Sequence, residues 1–221
     1  MIRELNDLTA GLFLISGFAI LRFRQVQDCF RSFLFQSFFL AVSAFLIGFK
    51  LDSLDLMIAA GITILSKLIL IPWTLNRSLH QEMYERREIA QILNLPVSLL
   101  IGAGLLIFSY FISMPILRHL SEFSKVNLPI GIAGALIGAY TLIVRQEAIP
   151  QLIGILAMEN GGFFLGISTA ANLPLMAELI AAFDVLILAF VAGILIHHIH
   201  QKTGTTHVGS LNALKEGTGK P

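Results

Sequence analysis

The stretch Gln151–Gly166, QLIGILAMENGGFFLG, sets one carboxylate, Glu159, among fifteen uncharged residues. Read as a helix, it is apolar nearly all round, and Glu159 with Asn160 falls where water does not reach. Such a helix is either the core of a large protein or a membrane span, and that choice decides the fold. Composition makes the choice. The chain has 221 residues, 56% hydrophobic and 13% charged, with a mean hydropathy of +0.81. A soluble domain is roughly 45–50% apolar and about 25% charged. A chain this short cannot bury the excess in its own core, so lipid is the solvent for most of it. The formal charge of +1 argues against a nucleic-acid or strongly acidic partner. Cys29, the single cysteine, excludes an internal disulfide and a thiolate cluster, and reads as a small apolar filler.

Working outward, seven stretches reach the ~20 apolar residues that a ~30 Å hydrocarbon core requires. They are residues 6–22, 32–49, 54–75, 93–117, 126–144, 149–170 and 173–199. Short polar joints separate them: RFRQVQDCFR, KLDSLD, NRSLHQEMYERRE, RHLSEFSKVN, RQE and AANLP. Only the 76–92 joint is long enough for a surface helix of its own. The first span has the early Arg3 and apolar run of a signal peptide, but RFR follows without a small-residue cleavage site, so it reads as retained. Alternate joints differ in basic charge. One side collects Arg22, Arg24, Arg31, Arg77, Arg86, Arg87, Arg145, Lys202, Lys215 and Lys220; the other holds Arg3, Lys50, Arg118 and Lys125. By the positive-inside rule the N-terminus is outside and the C-terminus cytoplasmic. The expected fold is therefore an all-α polytopic bundle of seven transmembrane helices. Residues 1–126 form a four-helix region, residues 127–200 a three-helix region rich in small residues, and residues 201–221 a cytoplasmic tail. Gly134 and Gly138 make a small-xxx-small pattern read as close helix packing.

Four ionisable residues fall inside spans: Lys67, Glu159, Glu178 and Asp184. Each costs roughly 2.5–3.5 kcal/mol near a helix centre on insertion scales, so they must face the bundle interior, a partner or water, paired or neutralised. Glu178, near the start of its span, has a plain reading as an interfacial residue. Lys67 paired with Glu159 or Asp184 would be a structural ion pair; its long stem also permits snorkelling. The functional reading is a proton relay, because buried Asp, Glu and Lys chains are what such relays are made of. Pro72 withholds the amide that Leu68 would use, loosening the turn beside Lys67 or simply kinking the helix for packing. His197, His198 and His200 read either as a metal cluster or as residues complementing a helix C-terminus. No phosphate loop, CxxC or hydrolase elbow is present, so the chain has no visible means of redox or hydrolytic chemistry.

Three segments, RQEAIPQLIGILAMENGGFFLG, ELIAAFDVLILAFVAGILIHHIH and TTHVGSLNALKEG, resemble component E of hydrogenase-4 and formate-hydrogenlyase-type complexes. SKLILIPWTL around Lys67 is similar to that family's Lys-containing third span, so the resemblance covers essentially the whole chain. The last three spans also resemble the K subunit of respiratory complex I and the C subunit of multisubunit cation/proton antiporters. Ile153, Gly154, Met158 and Asn160 match the K-subunit pattern I-G-L-E-x-M-x-N; its carboxylate position is Leu156 here, and Glu159 follows about one helical turn later. The K subunit's other intramembrane glutamate aligns with Asp184.

The resemblance implies an accessory membrane subunit with no catalytic site of its own, in the cytoplasmic (inner) membrane of a prokaryote. It implies antiporter-like membrane subunits and a peripheral hydrogenase arm as partners, with nickel-iron and iron–sulfur clusters held by those partners and no cofactor or metal in this chain. A proton or sodium path would then use Glu159, Asp184, Lys67 and Glu178, supported by Asn160, Pro72 and Gly154. Two other readings stand beside it: a structural scaffold with internally paired charges, and a subunit of a cation/proton antiporter without redox chemistry. A free-standing transporter or seven-helix receptor is disfavoured, because no matched pair of broken helices is present and the seventh span has no lysine.

Overall fold

The computed structural model describes residues 1–73, 92–117, 122–169 and 193. Within them the chain is helical. α1 is Ile2–Arg22 and α2 is Val26–Leu51; α3 is Leu54–Thr63 and continues through a π-helical segment, Ile64–Leu70. α4 is Leu95–Leu117, α5 is Glu122–Val144 and α6 is Ala148–Thr169. Among the described residues, α1, α2, α3 extended to Trp73, α4 and α5 (Phe123–Val144) are long and apolar enough to cross a membrane. α6, at 22 residues, carries Gln151, Glu159 and Asn160. Glu178, Asp184, the three histidines of 197–200, the seventh span apart from Gly193 and the 76–92 joint apart from Ile92 lie outside the described residues.

Two joints are shorter than their polar letters suggest. The expected joint over 22–31 shrinks to Phe23–Gln25, because α2 begins at Val26 and buries Val26, Cys29 and Phe30. Polar Gln25, Gln27 and Asp28 mask an apolar face that a helical repeat collects on one side. At its other end α2 runs to Leu51 and stops at Asp52, whose φ of 53° is left-handed. Aspartate tolerates that region better than most residues, and the next turn starts at Leu54.

Lipid as the solvent accounts for what faces outward. α4 buries Ser98, Gly102, Ser109 and Ser113, while Leu100, Ile107, Phe108 and Phe111 point out of the bundle. In water that arrangement would be inside out; in a bilayer small residues gain from close helix contact and large apolar ones lose nothing by facing acyl chains. Ser109 and Ser113 donate their hydroxyls to the carbonyls of Leu106 and Ser109 within their own helix.

α5 and α6 form the tightest pair. A Cβ at Gly138 would overlap the backbone at Met158, and one at Gly161 would overlap the backbone at Ala135. The small-residue reading of Gly134 and Gly138 holds, since a Cβ at Gly134 would sit 2.7 Å from the Phe13 ring and 3.4 Å from Gly161 Cα. α1 packs on α2 and α5, and α2 packs on α3 and α6.

Two apolar clusters result. One unites Ile20, Cys29, Phe33, Ile71, Leu152, Leu156 and Ala157. The other unites Phe13, Leu40, Ala44, Leu56, Ala60 and Phe164. Phe13 stacks on Phe164 with ring centroids 4.5 Å apart. Both clusters draw residues from the first three helices and from α6.

Candidate functional site

Along α2 the order is Phe33 in the first cluster, Gln36 and Ser37, then Leu40 in the second. Along α6 it is Ala157, then Glu159 and Asn160, then Phe164; along the third helix it is Ala60, Lys67 and Ile71. Three helices thus place polar side chains at the same level, between the two apolar clusters. Glu159 lies about 16 Å from the start of a helix about 33 Å long, so this polar layer sits halfway along α6.

The layer is continuous. Lys67 Nζ donates to Asn160 Oδ1 at 2.7 Å and is 3.0 Å from Glu159 Oε1. Asn160 Nδ2 donates to Ser37 Oγ at 2.8 Å and, at a longer 3.4 Å, to Gln36 Oε1. Asn160 is therefore the junction: its carbonyl oxygen faces the ammonium, and its amide faces α2. The Lys67 side chain is 5% exposed and that of Glu159 26%, so the ammonium is the more deeply enclosed partner. The Phe163 ring centroid lies 6.0 Å from Lys67 Nζ, within range of a weak cation–π attraction.

The backbone at Lys67 is unusual. Ile64–Leu70 has π-helical hydrogen bonding, and the Ile71 amide reaches back five residues to the Ser66 carbonyl. Pro72 supplies the physical reason. Its ring would clash with the Leu68 carbonyl of a regular α-turn and it offers no amide. Widening the turn by one residue moves that carbonyl aside and rotates Lys67 inward, and π-turns of this kind recur at functional sites. The loosened turn expected from Pro72 is present, as a π-helical widening. Ser66 donates its hydroxyl to the Ile62 carbonyl at 2.8 Å, satisfying itself locally.

Of the residues singled out by sequence, Lys67, Glu159 and Asn160 come together. Gly154 lies one and a half turns away, and a Cβ there would approach Leu142 N to 2.7 Å, so its place is in the α5–α6 contact. Leu156 is fully buried in the first apolar cluster, and the carboxylate stands at Glu159 instead. Gln36 and Ser37, two fully buried partners, carry no charge and belong to no motif; a two-residue polar break in an apolar run is the only signal they give.

Two further polar clusters were missed by sequence. Arg145, counted among the joint charges for orientation, is 1% exposed. Its Nη2 donates to the carbonyls of Ile20 at 2.7 Å, Leu21 at 3.1 Å and Phe23 at 3.0 Å. A guanidinium at the C-terminal end of α1 meets both its orphan carbonyls and the negative end of its dipole. Burial lowers its pKa from the ordinary value, against the raising effect of Cys29, but arginine starts so high that it stays a cation. Cys29 Sγ donates to the Phe23 carbonyl at 3.2 Å, so the thiol is a second cap as well as a filler. At the opposite end, Asn6 Nδ2 donates to Asn127 Oδ1 at 3.0 Å and Ser43 Oγ donates to Asn6 Oδ1 at 2.7 Å, joining α1, α2 and α5. Among the described residues, no three His, Cys, Asp or Glu side chains gather as metal ligands.

Comparisons with known proteins find distant relatives. The chain is 29% identical over 213 residues to Mycobacterium tuberculosis Rv0085, covering 96% of each chain. It is 24% identical over 169 residues to hydrogenase-4 component E of Escherichia coli, covering 73% of this chain and 74% of that one, and the Shigella flexneri protein matches equally. No family model and no solved structure matches. The chain is thus a helical membrane protein with distant similarity to hydrogenase-4 component E.

Proposed function

We propose that the chain is an accessory subunit of a membrane-bound hydrogenase-type complex in the prokaryotic cytoplasmic membrane, with seven spans and the N-terminus outside. In this reading it contributes Lys67 and Glu159, with Glu178 and Asp184 of the seventh span, to a proton path coupled to redox chemistry in other subunits. The observation that carries the reading is the Lys67–Glu159 contact at 3.0 Å inside an apolar bundle, stabilised by Asn160. A structural bundle of this composition has no need of two opposite charges at its centre, since apolar side chains of the same volume pack there at equal or lower cost. As a relay, the contact has two states. A proton reaching Glu159 cancels the carboxylate and leaves the ammonium held by Asn160 Oδ1; loss of that proton restores the ion pair. Similarity to hydrogenase-4 component E supports the choice of complex, and nickel-iron and iron–sulfur centres would reside in the partner subunits.

The test is Glu159→Gln in the assembled complex, reconstituted in vesicles. Hydrogen turnover with an artificial electron acceptor should persist, while redox-driven proton uptake falls severalfold. Undiminished uptake would rule out the relay. The scaffold reading rests on Asn160 tying α2, the π-helical turn and α6 into one clamp. It requires instead that the variant lose assembled complex on a native gel. An antiporter subunit without redox chemistry is distinguished by co-purifying membrane subunits that bring no nickel.

A further inference from the structure

Two grooves open on the outside of the bundle on either side of Arg31. One, about 500 Å³, runs between α2 and the π-helical segment and is lined by Arg31, Leu34, Phe35, Phe38 and Leu68. The other, about 270 Å³, runs between α1 and α2; Ile15, Ala19, Phe23 and Asp28 line it together with the same Arg31 and Phe35. Arg31 and Phe35, one turn apart, form the ridge between them. The π-helical turn helps to make the first groove, because the altered pitch that carries Lys67 inward sets Leu68 at the groove wall.

The position along α2 matters as much as the shape. A 26-residue helix is about 39 Å long and overreaches a ~30 Å hydrocarbon core at both ends. Arg31, five residues from the start, then lies within about one turn of the hydrocarbon edge, at the level of lipid glycerol and phosphate. Both grooves run from it toward the membrane interior.

The charges at the ridge are balanced. Arg31 Nη1 is 3.7 Å from Asp28 Oδ1, with side-chain exposures of 68% and 33%. That separation exceeds hydrogen-bond length, so guanidinium donors remain for the oxygens of a tetrahedral phosphate. The neighbouring carboxylate repels a net-negative headgroup and attracts one carrying a primary ammonium. A choline headgroup has no N–H to donate to it.

We propose that this ridge is a binding site for one phosphatidylethanolamine molecule: its phosphate on Arg31, its ammonium on Asp28, and one acyl chain in each groove. The site does not depend on the proton path or on the orientation of the chain; its acyl chains would fasten α1, α2 and the turn carrying Lys67 together below the headgroup.

The intact protein, purified in mild detergent and stripped of lipid, is exposed to an equimolar mixture of phosphatidylethanolamine, phosphatidylglycerol and phosphatidylcholine and examined by native mass spectrometry. The ethanolamine lipid should be retained severalfold over the other two. Arg31→Gln should lower its retention about tenfold, matching one charge-assisted hydrogen bond of ~1.5 kcal/mol. Asp28→Asn should remove the preference over phosphatidylglycerol while leaving total lipid bound. Arg31 is exposed and Asp28 half-buried, so the gel-filtration profile and melting temperature serve as folding controls. Unchanged retention in Arg31→Gln, or phosphatidylglycerol retained as well as the ethanolamine lipid by the unaltered protein, would overturn the assignment.

Discussion

Replacing Lys67 and Glu159 singly and together tests the polar layer most directly. Lys67 Nζ is held by Glu159 at 3.0 Å and Asn160 at 2.7 Å, with only 5% of the side chain exposed. Glu159→Leu leaves that ammonium enclosed with a single neutral acceptor. Breaking a buried pair by removing one partner costs about 3–5 kcal/mol, and Lys67 stands at the upper end because it is the more enclosed member. Lys67→Met takes the ammonium away from the carboxylate instead. Glu159 is about a quarter exposed and relaxes more easily, so a cost near 3 kcal/mol or below is expected. The double variant removes both charges and fills the space with side chains of similar volume, so its cost should fall to roughly 1 kcal/mol. The interaction energy is then up to about 7 kcal/mol, a large share of a net stability of about 5–15 kcal/mol. Reversible unfolding in mixed micelles, titrated with denaturing detergent, gives all four values. The reasoning fails if the double variant is as unstable as the sum of the singles. It fails equally if Lys67→Met costs clearly more than Glu159→Leu.

Other consequences follow from the same geometry. Gly161→Ala should destabilise by at least 1–3 kcal/mol, because the added methyl meets the Ala135 backbone and the helices must separate; Gly162→Ala, with open space around it, should be nearly neutral in the same unfolding assay. Arg145→Met should cost about 3 kcal/mol by exposing the carbonyls of Ile20, Leu21 and Phe23 to an apolar pocket, and amide exchange should rise in the last turn of α1. Removing an exposed joint arginine such as Arg24 should leave both readouts unchanged.

The sequence by itself determined the solvent. With 56% hydrophobic residues and so few charges, the chain has nowhere but lipid to place its side chains, and helices are the structures that satisfy every backbone group there. It also marked Lys67, Glu159 and Asn160, because charge and amide letters in apolar runs are conspicuous. Helix ends were less legible: polar residues in RFRQVQDCFR concealed the first turn of α2, whose apolar face becomes visible only with a partner to cover it.

Tertiary structure alone decided which polar groups meet. Gln36 and Ser37 are ordinary letters until α6 brings Asn160 to within 2.8 Å of Ser37. Arg145 counts as one more joint charge until α1 presents its C-terminal carbonyls to it. A hydrogen bond or an ion pair depends on angstrom-scale separations between residues far apart in the chain, and a periodic pattern holds no record of those separations. Hydrophobic burial depends on how much apolar surface a segment carries, which composition records directly. That difference is why the membrane bundle and the charges at its centre were readable from the letters, while the uncharged partners that complete the polar layer were not.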